Sequence, residues 1–175
     1  VAYEGMERWF PKEKIVLTGN PVREEIVKLE GKRERGLEHF GLNANQQVLL
    51  VIGGSLGART INDAIELNLK LLNENNIQVI WQTGKGFFEQ AKKSAASFSG
   101  MKVFDFIAKM DLAYAVADVV VSRAGAISVS ELCLVKKPCI LIPSPNVAED
   151  HQTKNAMALV NHHAAILIKD VDAKE

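Results

Sequence analysis

The segment Ser122-Arg123-Ala124-Gly125-Ala126-Ile127-Ser128-Val129-Ser130-Glu131 holds the densest chemistry in the chain: a glycine turn, a helix start and a carboxylate follow an apolar run. A helix opening near Ala126 turns free backbone N–H groups and the positive end of its dipole toward an anion, and Gly125 allows close approach. Glu131 follows about one and a half helical turns later. From there its carboxylate can accept hydrogen bonds from two neighbouring ribose hydroxyls. A solvated glutamate is the commoner fate of this residue type, but Val129, Leu132 and Leu134 make much of the surrounding face apolar. The pattern suits a nucleotide diphosphate.

Other residues offer complementary groups. Gly53-Gly54-Ser55-Leu56-Gly57-Ala58-Arg59 also joins an apolar run to a helix, so its amides, freed by Gly54 and Gly57, and the Ser55 hydroxyl can approach a phosphate or sugar. Its spacing is neither the dinucleotide fingerprint nor a P-loop. A strand-to-helix turn alone would need one glycine, so the cluster favours a ligand. Gly84-Lys85-Gly86 lacks the upstream half of a P-loop and reads as a simple turn with a solvated lysine. Asp150 is an N-cap candidate, with His151, Gln152 and Asn155 in the turn after it. Grouped neutral donors and acceptors suit sugar hydroxyls, although the same segment can be an ordinary polar helix start. His151 could also act as a general base, a weaker reading because no orienting carboxylate is identifiable. Arg23, after Gly19-Asn20-Pro21-Val22, is either a surface cation or a clamp on a phosphate or base edge.

The elements that must position these residues alternate. Short β-branched runs at 15–17, 48–52, 78–82, 102–106, 118–122, 139–142 and 165–168 predict strands. Between them, Ile61, Ala64, Ile65, Leu69 and Leu72 recur at helical spacing, and further helices are read at 23–29, 86–95, 110–117, 128–135 and 150–161. Alternation of this kind predicts a doubly wound, mainly parallel α/β sheet of Rossmann type, with ligands beyond the carboxyl ends of its strands.

Bulk properties narrow the partners. The 175 residues suit one domain, and 21 basic residues cancel 21 acidic ones without a basic block, which argues against nucleic acid. Cys133 and Cys139 sit in apolar company without metal-ligand spacing and read as buried thiols of a reducing compartment. No membrane span or signal peptide is evident, and no metal site or cofactor is expected. The start at Val1, and the few polar residues after 168, are expected of a piece of a longer protein.

Taken together, Gly19-Asn20-Pro21-Val22-Arg23, the loop from Gly53 to Arg59 with Ile61-Asn62, Phe106-Ile107 with Met110, the run from Asp118 through Ala126 to Glu131, and His151-Gln152 with Asn155-Ala156 resemble the C-terminal half of the bacterial MurG family. These are N-acetylglucosaminyltransferases of the GT-B fold. The resemblance runs over nearly the whole chain and implies that 1–175 is the donor-binding domain.

It further implies that Ile107 meets uracil through its backbone, with Phe106 and Met110 shaping the pocket, and that Glu131 binds the ribose. Ser55 and the loop containing Gly54 and Gly57 would hold phosphate. Gly125, Ala126 and Ser128 would lie by the sugar-diphosphate, and His151, Gln152 and Asn155 would recognise GlcNAc or the adjoining phosphate. Arg23 would edge the nucleotide site, while Arg123 supports its loop. Leu56 departs from the pattern, where glutamine is common, so any side-chain hydrogen bond from that position is missing. The implied reaction is inverting transfer from UDP-GlcNAc to the C4 hydroxyl of undecaprenyl-pyrophosphoryl-MurNAc-pentapeptide in peptidoglycan synthesis. The acceptor base, the lipid-linked acceptor's loops and the main contact with the cytoplasmic face of the membrane would belong to an N-terminal domain, so no catalytic residue is assigned here. Two alternatives share the architecture: a UDP-GlcNAc 2-epimerase-like half and a non-catalytic nucleotide-sugar-binding subunit.

Overall fold

The computed structural model describes residues 1–2, 5–54, 56–147 and 150–174. Among them, β1 (Gln47–Ile52), β2 (Ile77–Gln82), β3 (Met101–Phe104), β4 (Val119–Ser122), β5 (Cys139–Leu141) and β6 (Ile166–Leu167) form one sheet in the order β3-β2-β1-β4-β5-β6. Every pairing is parallel. The chain winds outward from β1 to β3, then returns to place β4 on the other side of β1. The crevice between β1 and β4 is therefore the topological switch point.

The pleat of β1 explains its continuous apolar sequence. Val48, Leu50 and Ile52 enter the core on one sheet face, and Val51 enters the core on the other. The first face is covered by α1 (Glu24–Val27), α2 (Arg33–Phe40), α6 (Met110–Val116), α7 (Ala126–Val135) and α8 (His151–Val160), through residues such as Ile26, Phe40, Leu112, Leu132 and Leu159. The second is covered by α3 (Arg59–Leu67), α4 (Leu69–Glu74) and α5 (Phe88–Ala95), through Ile61, Ile65, Leu69 and Ala91. The doubly wound α/β class is thus observed.

Two local expectations are corrected and one helix is added. The run 15–17 is not in the sheet: it leaves a 3-10 turn, Lys12–Lys14, with Val16 and Leu17 exposed, and Val1 supplies the hydrogen bonds to Val16 O and Thr18 N. β-Branched propensity makes a strand only where a neighbour pairs with it. The single helix read over 61–72 breaks at Asn68, whose Nδ2 donates back to Ala64 O at 2.9 Å and competes with the main-chain ladder. Helix α2 escaped the periodicity reading because charges and a central glycine dominate it. Gly36 is there for closeness, since a Cβ would stand 2.5 Å from Val116 Cγ1 and 2.8 Å from Leu112 O.

Candidate functional site

The loops leaving β1 and β4 enclose a polar cleft of about 430 Å³ at the switch point. Gly54 and Gly57 line it from one side, Gly125 and Ser128 from the other, and Gln152 from the start of α8. The glycine loop is shaped by backbone packing. Gly57 has φ +80° and lies so close to the β2–α5 turn that a Cβ would meet Thr83 O at 2.3 Å, and Gly84 returns the contact, its Cβ position being 2.5 Å from Gly57 N. Gly84 therefore seats the neighbouring loop, and Lys85 points to solvent as a simple turn requires. Ser55 lies outside the described residues. Leu56 lines the cleft and is 94% exposed, so the rim is apolar at that position.

Gly125 is the N-cap of α7 in extended conformation without a side-chain cap, so the helix begins at Ala126 with its first amides unclaimed by any side chain at the cap. Arg123 braces this loop. Its Nη1 donates to Ile142 O at 3.1 Å and Pro143 O at 3.2 Å and is ion-paired with Asp170, so its charge is largely committed within the protein. Asn155 Nδ2 donates to Ala124 O at 3.1 Å and ties α8 to the same loop, while Gln152 Oε1 accepts from Ser144 N at 2.9 Å. His151 is exposed at the helix start. Asp150 does occupy the N-cap, but in the left-handed region, and makes no side-chain cap bond.

The proposed ribose residue is buried and paired. Glu131, 4% exposed, accepts from Arg23 Nε and Nη2 at 3.2 and 3.0 Å through Oε1, and from the Tyr114 hydroxyl at 3.1 Å through Oε2. Burial, then the charge and hydrogen bond of Glu131, push the Tyr114 phenol well above its ordinary range. Asn20 Nδ2 donates to Ser130 Oγ at 3.0 Å, so the segment ending in Arg23 is fastened along α7. Tyr114 was absent from the sequence reading. Its signal was its place in an otherwise apolar helix, where a buried hydroxyl needs a partner.

The residues proposed to meet the base follow β3 and reach the end of β2. Phe106 is exposed, whereas Ile107 and Met110 are core residues. The Ile107 N–H donates to Gln82 Oε1 at 3.0 Å, so a base read at this peptide meets a backbone already held by Gln82. The cleft thus gathers Gly54, Gly57, Gly125, Ser128 and Gln152, while Arg23 with Glu131 and Phe106 with Ile107 and Met110 form two groups outside its lining.

A larger apolar cavity of about 750 Å³ lies at the opposite ends of β4 and β5, lined by Val119, Leu132, Cys139 and Leu159 among others. It lacks the glycine loops and helix start of the switch-point cleft. Cys139 there is buried, and burial raises its thiol pKa, but Cys133 is exposed, which corrects the expectation of two buried thiols. Among the described residues, no group of three or more His, Cys, Asp or Glu side chains could hold a metal ion. Nor, among them, is any helix long and apolar enough to cross a membrane.

Sheet order, switch point and glycine-loop cleft define a Rossmann-like domain of the type that forms half of a GT-B glycosyltransferase. Residues 48–175 match the glycosyltransferase family 28 C-terminal domain, and the chain belongs to that family. It is 55% identical over 177 residues to the UDP-N-acetylglucosamine--N-acetylmuramyl-(pentapeptide) pyrophosphoryl-undecaprenol N-acetylglucosamine transferase of Parabacteroides distasonis, covering 100% of this chain and 48% of that protein. The enzyme of the same name from Cytophaga hutchinsonii is 58% identical, with 100% and 47% covered. The chain spans about half the length of the curated relatives it matches. Among solved structures, Acinetobacter baumannii MurG superposes with a TM-score of 0.68 at 27% identity, over 93% of this chain and 46% of that one. The C-terminal CMP-Kdo binding domain of WaaA from the same organism shares the fold, with a TM-score of 0.61 at 13% identity over 87% and 85% of the two chains.

Proposed function

We propose that this chain is the UDP-GlcNAc-binding half of an inverting transferase that moves GlcNAc to the C4 hydroxyl of undecaprenyl-pyrophosphoryl-MurNAc-pentapeptide. The observation that carries the reading is the cleft in which a glycine loop faces the start of α7 across the β1–β4 switch point. The names of the relatives supply the sugar nucleotide and the acceptor.

In this reading the diphosphate lies between Gly54 and Gly57 on one side and Gly125, Ala126 and Ser128 on the other. Backbone amides and the α7 dipole then stabilise the charge that grows on departing UDP. Uracil meets the Ile107 backbone beside Phe106, with Met110 beneath. Ribose hydroxyls reach Glu131 as Arg23 yields part of its contact, and Gln152, His151 and Asn155 face the sugar end. Acceptor activation, the lipid-linked acceptor and peripheral contact with the inner face of the cell membrane belong, in this reading, to the half of the relatives' length that these residues do not span.

The test is calorimetry on the 175-residue chain with EDTA present. UDP-GlcNAc and UDP are expected to bind without metal. Glu131→Ala is expected to weaken both by about 1 to 3 kcal/mol, the range for hydrogen bonds to a charged group. Equal affinity for an ADP-sugar would refute the uridine assignment.

A further inference from the structure

Gln82 ends β2 between the two loops that are proposed to hold opposite ends of the donor, and it is 3% exposed. Its main chain and side chain both act as ties. Gln82 O accepts from Gly53 N at 3.3 Å, and its Nε2 donates to Gly54 O at 3.2 Å. The other end of the same amide, Oε1, accepts from Ile107 N at 3.0 Å. The amide orientation is fixed by its partners, because a backbone N–H can only donate and a carbonyl can only accept.

We infer that Gln82 is a positioning residue that couples the phosphate-side glycine loop to the base-side loop, so that the base and diphosphate subsites are set at a fixed spacing before the donor arrives. This rests on the donor-site reading above. A ligand touching only the Ile107 side needs one loop in place, whereas one spanning both sides needs both. Preorganisation by Gln82 therefore favours the longer ligand disproportionately. Support of a single loop, or of the core in general, would weaken short and long ligands by the same factor.

The experiment compares uridine with UDP by calorimetry on the wild-type chain and on Gln82→Met, which keeps the side-chain volume and removes both hydrogen bonds. The affinity advantage of UDP over uridine is expected to shrink by about tenfold, the scale of one lost hydrogen bond. An unchanged advantage, with both ligands weakened equally or neither affected, overturns the coupling and leaves the donor site standing. Failure of the wild-type chain to bind either ligand overturns both.

Gln82→Leu also removes both hydrogen bonds with a neutral side chain of similar size, which gives a second arm if the methionine variant does not fold. It too is expected to narrow the affinity advantage of UDP over uridine by about tenfold. Equal loss of the two ligands again overturns the inference.

Discussion

Substituting the glycines near the cleft with alanine separates backbone strain from close packing. Gly86 is exposed, has no heavy atom within 4 Å of an added Cβ and lies outside the left-handed region. Gly86→Ala should leave stability within about 0.5 kcal/mol of wild type. Gly54 has equally open space but φ +82°, so Gly54→Ala carries only the left-handed penalty, about 1–2 kcal/mol. Gly57 combines φ +80° with a Cβ position 2.3 Å from Thr83 O, and that obstacle is backbone that cannot swing aside. Overpacking adds about 1–3 kcal/mol, for a total of about 2–5 kcal/mol. Urea unfolding of the three variants reads the ranking, and calorimetry with UDP should show the largest loss for Gly57→Ala because relief of the clash moves the phosphate-side loop. A cost for Gly57→Ala no greater than for Gly54→Ala would refute the loop-on-loop packing argument.

Two further predictions follow from titratable groups. Tyr114 has a folded pKa raised above the unfolded value of about 10, so its contribution is intact below that pH and is lost as pH rises beyond it. Absorbance near 295 nm should therefore report Tyr114 ionising only as the chain unfolds in alkali, and Tyr114→Phe should abolish that component; ordinary ionisation in the folded chain would contradict the burial of its hydroxyl against Glu131. Burial raises the Asp111 pKa, but the Lys32 ammonium at 2.8 Å and the amides of Leu112 and Asp111 outweigh it and hold the carboxyl below its usual range. That contribution is present above the unfolded pKa of about 3.9 and disappears as pH falls through the lower folded value. Asp111→Asn should thus destabilise the chain near neutrality, with the difference vanishing in acid melts; a difference independent of pH would rule out the ion pair as its source.

The sheet was legible because its central strands are apolar runs buried on both faces, and both Gly125 and the helix start at Ala126 fall where the sequence places them. The residues that stitch the loops together were not legible. Gln82, Tyr114 and Asp170 act through partners 25, 17 and 47 residues away, and only the folded chain brings those partners within reach. Gly84 shows the same limit. Its dipeptide neighbourhood suggests a phosphate loop or a plain turn, whereas its packing on Gly57 makes it a support for a different glycine loop. The run 15–17 failed as a sheet strand for the complementary reason: local propensity was present, but among the described residues no strand of the sheet pairs with it.

Whether the switch-point cleft holds a uridine diphosphate sugar is decided by a crystal structure of the chain with UDP-GlcNAc. The diphosphate is expected between Gly54–Gly57 and Gly125–Ser128, uracil at the Ile107 backbone and ribose at Glu131. Density for the nucleotide in the apolar cavity beneath β4 and β5, or a diphosphate away from the α7 start, would contradict it.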